Sequence, residues 1–360
     1  MFSMDPRESA AEAGLRYVTG YGLGVRRVRC GKSFRYLAPD GRPLRDMQQL
    51  QRIRSLAIPP AWRDVWICPY PHGHLQAFGW DARGRKQYRY HPLYRSTRDQ
   101  AKFSRMIAFG AVLAVIRQGV ERDLALRGLP KQKVLATIVR LLETAFLRIG
   151  NDEYAKENDS FGLTTLGNRH VSIEGTRLRF RFRGKSGLEH VVELTNSRLA
   201  KIVKRCQELP GYHLFEYVEA GGEVCSIDSA DVNDYIRKLS GQDFTAKDFR
   251  TWAGTVLAAE ALYKAGPAAT AAAAKRKVVS ALTHVARRLG NRPATCRKYY
   301  VHPAIIDAYS EGSLFRVMEE GKHQHAAYSG LGLRPEEYSV MVIVAEHQER
   351  VARQARGKAA

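Results

Sequence analysis

The spacing of hydrophobic residues changes near residue 100 and divides the chain into two parts. Over residues 18–94, short runs alternate apolar and polar positions between turns rich in Gly and Pro, a pattern typical of small antiparallel strands. Beyond residue 100 the apolar positions recur at helical spacing. The pattern predicts an α+β fold: a small N-terminal antiparallel β-sheet domain over residues 1–100, and a larger, mainly α-helical domain over 101–360 that carries a small β-hairpin.

The helical part divides into recognisable segments. Apolar periodicity predicts helices over 103–118 and 133–149, so that Arg148 would lie in a last helical turn. A capping sequence at Thr245 predicts a helix that runs to about residue 263.

Two further helices are expected near the C-terminal end of that part. One covers 278–289 and ends at Gly290, and a short one from Pro293 would carry Tyr300 until a second proline stops it. The alanine-rich stretch 268–274 is interpreted as a surface connection, and the tail beyond about residue 345 is expected to fray.

The hairpin is predicted from a strict alternation over 177–183. This alternation places Leu178, Phe180 and Phe182 on one face and arginines on the other. The sequence GKSG at 184–187 then turns the chain into a partner strand, which puts Lys185 at the tip of the hairpin.

The charge of the chain indicates its partner. Lys and Arg total 58 against 36 Asp and Glu, for a formal charge of +22. A balance this basic favours an extended polyanion, and we expect double-stranded DNA, held by a monomer that clamps the duplex. A membrane surface is disfavoured because the cations are spread over the whole chain, and the longest uncharged apolar run is far shorter than the roughly 20 residues needed to cross a bilayer.

The cysteines and the N-terminus indicate the compartment. The five cysteines are scattered and never form a Cys-x-x-Cys pair, as in reduced proteins, and no apolar signal segment opens the chain. We expect a cytoplasmic, nucleoid-associated protein without a cofactor. The sequence CPYPHGH at 68–74 could bind a metal, but it lacks a second ligand pair and also fits a plain loop, so no metal is predicted.

Four separated motifs suggest phosphodiester chemistry. They are LRIGNDEY at 147–154, RGKSG at 183–187, KDFRTWAGT at 247–255 and TCRKYYVHP at 295–303. Together they supply Arg, Lys, Arg and then Tyr. A tyrosyl oxygen can form an ester with phosphate only if fixed cations neutralise the transition state and another group protonates the departing oxygen.

With GWDARGRKQYRY at 79–90, these motifs resemble those of the type IB DNA topoisomerases of the small bacterial and poxvirus-like kind, and the similarity extends over about residues 31–303. The resemblance implies that Tyr300 attacks a backbone phosphate, leaving a 3′-phosphotyrosyl bond and a free 5′-hydroxyl strand. It also implies relaxation of positive and negative supercoils by strand rotation, with religation that needs no ATP.

The same resemblance implies the roles of the other site residues. Arg148 and Arg250 would bind the non-bridging oxygens, because guanidinium is always charged and presents a planar donor fork. Lys185 would be the general acid for the leaving 5′-oxygen, a role that suits lysine better than arginine. Asn291 stands where the family usually has histidine, nine residues before the nucleophile. Its amide can still donate to an oxygen, but it cannot ionise.

Two local competitors are less suited to these roles. Tyr299 neighbours the nucleophile, but the family places the nucleophile directly before the Val-His-Pro sequence, and Tyr299 is expected to pack or to contact DNA. His284 could be imagined as a substitute for the missing histidine, although an ordinary helix-face histidine is the simpler interpretation.

The resemblance also implies DNA contacts outside the site. A predicted strand alternates cations and aromatics, which suits contact with phosphates and a groove, although it also fits a solvated strand edge. The expected contacts are Arg85, Lys86, Gln87, Tyr88 and Tyr90 from the first domain and Tyr154 from the second.

Three other classes of protein remain as alternatives. A tyrosine site-specific recombinase would use the same chemistry, but it usually has His three residues before the second arginine, where this chain has Lys247. A non-catalytic DNA-binding protein would explain the charge but not the ordered motifs. A metal-dependent nuclease is poorly supported, because Asp152 and Glu153 are the nearest carboxylate pair and no convergent acidic set is evident.

Overall fold

The computed structural model describes residues 5–20, 22–31, 33–82, 84–328 and 332–357. The chain divides into two compact units, Met1–Arg105 and Met106–Ala360. Each unit has its own secondary structure and core and is described separately.

The first unit is built on an antiparallel sheet with strand order β2-β1-β3-β4-β5. Its strands and short helices are α1 (Pro6–Glu12), β1 (Val25–Cys30), β2 (Ser33–Leu37), α2 (Met47–Ser55), β3 (Arg63–Ile67), β4 (Leu75–Trp80) and β5 (Lys86–Tyr90). Ile53 of α2 packs with Val65 and Ile67 of β3 in the buried core of this unit. The N-terminal antiparallel sheet expected from the alternating pattern is thereby confirmed.

The second unit is mainly helical. Its elements, counting α3 from its start in the first unit, are α3 (Pro92–Leu124), α4 (Lys131–Thr144), α5 (Asp152–Asn158), β6 (Val171–Glu174), β7 (Arg177–Arg183), β8 (Glu189–Thr195), α6 (Ser197–Gln207), β9 (Glu216–Val218), β10 (Val224–Ser226), α7 (Ser229–Ser240), α8 (Ala246–Ala265), α9 (Ala271–Leu289), α10 (Pro293–Tyr299), α11 (Pro303–Glu311), α12 (Ser313–Tyr328) and α13 (Pro335–Gly357). The predicted α+β class is confirmed.

The β-hairpin of the second unit has the expected faces. Leu178, Phe180 and Phe182 of β7 are buried, and the arginines between them are exposed. Strand β6 adds to the other edge of β7, which makes a sheet of order β6-β7-β8. A single 3₁₀ turn at Lys185–Gly187 joins β7 to β8.

The prediction that Arg148 lies in a helical turn is wrong. Helix α4 ends at Thr144, and the backbone of Phe146 has a positive φ of 55°. A residue with this conformation cannot continue a right-handed helix. Residues 147–150 belong to no helix or strand, and the carbonyl of Arg148 accepts a hydrogen bond from the amide of Leu163 at 2.9 Å. Tertiary pairing has therefore replaced the last helical turn.

Three helix boundaries also differ from the predictions. Helix α3 begins at Pro92, well before residue 103, because a proline in the first turn is compatible with a helix even where apolar periodicity is absent. Helix α9 begins at Ala271, inside the supposed surface connection, since Ala is the strongest helix former and Thr270 caps the helix by accepting from the amide of Ala273. Helix α13 continues past residue 345 to Gly357.

Helix α13 is tied to the rest of its unit by the buried carboxylate of Glu337. This carboxylate accepts hydrogen bonds from Arg117 of α3 at 2.8 and 2.9 Å and from the indole of Trp252 of α8 at 3.2 Å. Arg117 also donates to Glu143 of α4 at 2.6 Å. Burial alone would raise the pKa of Glu337, but Arg117 and Arg334 outweigh it and lower the pKa to about 2. Three helices thus meet at the Glu337 carboxylate, and Arg117 links them to α4.

Removing this charge should destabilise the second unit. We expect Glu337→Gln to lower the free energy of unfolding by about 3 kcal/mol, because it leaves the half-buried Arg117 with one carboxylate partner instead of two. The measurement is the urea midpoint followed by circular dichroism. Glu349→Gln, on the exposed side of the same helix, is the matched control and should leave the midpoint unchanged.

The effect of pH gives the same prediction a second readout. Since folding depresses the pKa of Glu337 to about 2, its stabilisation is present above the unfolded value of about 4.3 and is lost as pH falls from there toward 2. Glu337→Gln should therefore lose less stability than the wild type over that interval. Equal acid sensitivity of the two proteins would contradict the assignment.

Candidate active site

Helix α8 positions Arg250 at the centre of a cluster of site residues. Its capping sequence is formed as predicted, with the carboxylate of Asp248 accepting from the amide of Thr245 at 2.8 Å. Arg250 follows in the second turn and is 5% exposed. Its guanidinium donates to the backbone carbonyls of Phe146 and Leu289, the latter at 2.7 Å. These bonds connect the segments that end α4 and α9.

The guanidinium of Arg250 retains capacity for a ligand. Burial, followed by repulsion from Arg148, lowers the pKa of Arg250 to about 10, which still leaves the group charged at neutral pH. Its Nε atom is buried without a hydrogen-bond partner in the part of the chain that the structure describes. A buried cation with an unused donor is suited to an anionic ligand.

Tyr300 lies directly after α10, against the same face of α8. The Cζ atom of Arg250 is 5.2 Å from the centroid of its ring. Thr255 donates its hydroxyl to the carbonyl of Tyr300 at 3.1 Å and accepts from the amide of His302 at the same distance. One threonine therefore fixes the backbone immediately after the tyrosine.

A glycine in α8 makes this approach possible. A Cβ atom on Gly254 would lie 2.7 Å from the carbonyl oxygen of Tyr300 and 2.9 Å from its Cβ. Glycine inside a helix costs about 1 kcal/mol relative to alanine. The close contact with Tyr300 gives Gly254 a specific packing role.

Arg148 and Asn291 meet beside Arg250. The guanidinium of Arg148 donates to the side-chain oxygen of Asn291 and, at 3.4 Å, to the carbonyl of Gly290. Gly290 ends α9 in the left-handed conformation, with φ of 58°, as its sequence position predicts. The Asn291 amide nitrogen contacts only the carbonyl of Leu289, at 3.4 Å, among the described residues, so it remains available as a donor.

Lys185 is exposed at the tip of the β7–β8 hairpin. The segment before β6 links this hairpin to Arg148: the hydroxyl of Ser160 donates to the carbonyl of Gly184 at 3.2 Å, and the amide of Leu163 donates to the carbonyl of Arg148. The positions of the lysine and the arginine are thereby coupled through one short segment.

The electrostatics of the cluster act on Tyr300. Burial would raise the pKa of its phenol, but the charges of Arg250 and Arg148 outweigh burial, and Lys185 adds to them, so that the pKa is lowered. Tyr299 differs from Tyr300 in its environment: it is 43% exposed and lies beside Lys298. The structure therefore brings Arg148, Arg250, Asn291 and Tyr300 together and places Lys185 within electrostatic range.

His190 is a member of this cluster that the sequence patterns missed. It lies on β8 opposite Phe182, and burial followed by the charges of Arg148 and Arg250 lowers its pKa to about 4. The available signal was a polar residue on the alternating face that points toward the sheet's buried side. His284, by contrast, is exposed on α9.

The expected DNA contacts of the first unit lie on both faces of β5. Lys86 and Tyr88 share one face, where the Lys86 ammonium lies 4.2 Å from the ring centroid of Phe78 and Tyr88 stacks on Tyr90. On the other side, Asp81 accepts hydrogen bonds from the remaining two predicted residues, Arg85 at 2.7 Å and Gln87 at 3.1 Å.

Tyr154 falls in α5, and its side chain lies outside the described residues.

In the 68–74 loop, the Nδ1 atom of His74 accepts a hydrogen bond from the amide of Val18 at 3.0 Å. Within the described ranges no three metal-ligating side chains are grouped. Nor does any described helix have the length and hydrophobicity of a membrane span.

Comparison with known families agrees with this fold class and identifies the family. The model described as "Eukaryotic DNA topoisomerase I, catalytic core" matches residues 91–325. That described as "Bacterial DNA topoisomerase IB, N-terminal domain" matches residues 33–81. The chain belongs to the type IB DNA topoisomerase family and is a type I DNA topoisomerase, an isomerase that binds DNA. This membership favours a topoisomerase over a tyrosine recombinase.

Several viral relatives are similar to the chain. DNA topoisomerase 1B of Acanthamoeba polyphaga mimivirus is 29% identical over 81% of this chain and 89% of the viral protein. DNA topoisomerase 1 of rabbit fibroma virus is 31% identical over 38% of the chain and 45% of the viral protein. DNA topoisomerase 1B of vaccinia virus (strain Copenhagen) is 27% identical over 35% and 41%, respectively.

The contact at Gly254 predicts that alanine at this position lowers activity, although helix propensity alone would favour alanine over glycine. Gly254→Ala should reduce supercoil relaxation by about 10-fold or more, because its methyl group would displace the backbone of Tyr300, and small displacements in an active site cost much of the rate. The measurement is plasmid relaxation at matched protein concentrations. Duplex affinity serves as the control and should change little. Undiminished relaxation would show that the close contact has no role in activity.

Proposed function

We propose that the enzyme cleaves one strand of duplex DNA through Tyr300 and relaxes supercoils by rotation of the free strand. The observation that carries the proposal is the environment of the phenol, whose ring lies 5.2 Å from the Cζ atom of Arg250 and whose pKa is lowered by Arg250 and Arg148 despite burial. A tyrosine that ionises more readily is a better nucleophile at neutral pH. Tyr299, exposed beside Lys298, has no comparable environment.

The reaction breaks one phosphodiester bond and forms another. The Tyr300 oxygen loses its proton and bonds to phosphorus, and the 5′-oxygen leaves and takes up a proton. The products are a 3′-phosphotyrosyl ester and a free 5′-hydroxyl strand. Because the ester conserves the energy of the broken bond, the reverse reaction reseals the strand without ATP.

Arg250 and Arg148 would neutralise the transition state. Arg250 is already held by two carbonyls, so its position costs no reorganisation when charge develops on the phosphate. Arg148 is oriented by Asn291, whose side-chain oxygen accepts from it. The amide nitrogen of Asn291 would donate to a non-bridging oxygen, which is the part of the usual histidine's role that a neutral amide can supply.

Lys185 would protonate the departing 5′-oxygen. Its place at an exposed hairpin tip, within electrostatic range of Tyr300, supports this role. Lysine is also a residue type that serves as a general acid, whereas the guanidinium of Arg250 is committed to the carbonyls of Phe146 and Leu289.

Basic and aromatic residues in both units would bind the duplex. In the first unit, Lys86 and Tyr88 share a face of the edge strand β5, which suits contact with phosphates and sugars. The formal charge of +22 would supply the sequence-independent part of the affinity and keep the enzyme associated with the nucleoid. We further propose that a monomer suffices.

Relaxation of supercoiled plasmid in EDTA, without nucleotide, tests the proposal. We expect relaxation of both positive and negative supercoils, because strand rotation favours neither sign and the cluster neutralises charge with arginines. Tyr300→Phe should abolish cleavage and leave duplex binding nearly intact, since affinity comes from many phosphate contacts. Tyr299→Phe is the matched control and should retain activity. A strict requirement for Mg²⁺ or ATP, or a reversal of the two variants, would refute the proposal.

The role of Lys185 is tested by changing the leaving group. Lys185→Ala should slow cleavage of ordinary DNA by about 10²-fold or more, because the leaving oxygen then departs without a proton. A 5′-bridging phosphorothiolate leaves without protonation, so the variant should recover most of its cleavage rate on that substrate. Arg148→Ala and Arg250→Ala should stay impaired on both substrates. If Lys185→Ala is equally slow on the two, lysine acts through its charge alone.

A further inference from the structure

The ring of His190 lies between two glycines from different segments. A Cβ atom on Gly184, which precedes Lys185, would lie 2.4 Å from the Cδ2 atom of this ring, and one on Gly290, which precedes Asn291, would lie 1.9 Å from its Cε1 atom. Real Cβ atoms do not approach other heavy atoms so closely. The imidazole therefore occupies the space that side chains at both positions would need.

The ring is fixed from a third side. His190 stacks on Phe182, with ring centroids 5.3 Å apart and an angle of 5° between the ring planes. Phe182 is itself buried in the hydrophobic face of β7. The imidazole is thus anchored to the body of the sheet, and its outer edge reaches the two glycine turns.

The charges around His190 keep the ring neutral. The charged groups that act on it are Arg148 and Arg250, and together with burial they lower its pKa to about 4. At neutral pH the ring is therefore an uncharged plate. It does not repel the cationic cluster, whereas a charged lysine or arginine at this position would.

We propose that His190 is a positioning residue that holds the Lys185 hairpin against the turn carrying Asn291. This inference rests on the proposed role of Lys185 as general acid. The hairpin tip is a single turn, and the backbone immediately before Lys185 contacts the ring. Without the ring, the tip loses its support against the α9–α10 turn, and the ammonium group would no longer be held at one distance from the leaving oxygen.

A leaving-group comparison tests the proposal. His190→Ala should slow single-turnover cleavage of ordinary DNA by about 10-fold or more, because a general acid displaced by a fraction of an ångström loses much of its effect. On the 5′-bridging phosphorothiolate the variant should come within about threefold of the wild type, since no proton is needed there. His284→Ala, an exposed histidine of the same unit, is the matched control and should behave as the wild type.

A double-mutant cycle tests the contact itself. Gly184→Ala would place a methyl group where the ring lies, and its backbone has no positive φ that would add strain. We expect this variant to be slow in the same substrate-dependent way. The double variant Gly184→Ala/His190→Ala should be no slower than His190→Ala alone, because the methyl group then fills vacated space. Gly221→Ala, at a glycine with open space around it, is the control for the substitution.

The outcomes separate this inference from the proposed function. If Tyr300→Phe is inactive but His190→Ala cleaves ordinary DNA at the wild-type rate, the proposed function stands and the positioning role is refuted. Equal slowing of His190→Ala on both substrates would also refute it, because the defect would then lie in phosphate binding or folding. Additive effects of the two substitutions in the cycle would show that the ring does not support the hairpin through Gly184.

Discussion

The site depends on the burial of one positive charge, that of Arg250. A guanidinium that is 5% exposed is stable only if carbonyls or anions surround it, and here the carbonyls come from Phe146 and Leu289. Those two residues lie at the C-terminal ends of α4 and α9, which are far apart in the sequence. The hydrogen bonds of Arg250 therefore bring these two helix ends together. Arg148 and Asn291 are placed by the same convergence, because each lies two residues beyond one of the carbonyls.

The same interaction prepares the site for an anion. Arg250 and Arg148 repel each other, which together with burial lowers the pKa of Arg250, and among the described side chains no carboxylate acts on Arg250 to offset the repulsion. A phosphate would relieve it. The stability lost in bringing two arginines together would be recovered when a phosphate binds. It favours the transition state over the ground state only as far as the transition state carries more negative charge on the phosphate oxygens.

The sequence predicted the parts of this arrangement that local rules govern. Alternation set the faces of the hairpin, and Gly290 marked the end of α9, because each depends on neighbouring residues alone. The prediction that Arg148 lies in a helix was wrong, because hydrogen bonding to the segment at Leu163 replaced the helical turn that the apolar periodicity indicated. The roles of Gly254 and His190 could not be read from the sequence, since each is defined by a contact with residues at least six positions away, at sites that no periodic pattern links.

The contacts of α8 fix the spacing between the residues that surround Tyr300. Arg250, Gly254 and Thr255 meet the tyrosine from successive turns of one rigid helix, whose opposite side is held through Trp252 to Glu337. One inserted residue in this helix would turn everything beyond it by about 100°. Insertions and deletions are therefore compatible with the site in the connection before Thr270. Within α8 only substitutions that keep the number of residues are compatible with it.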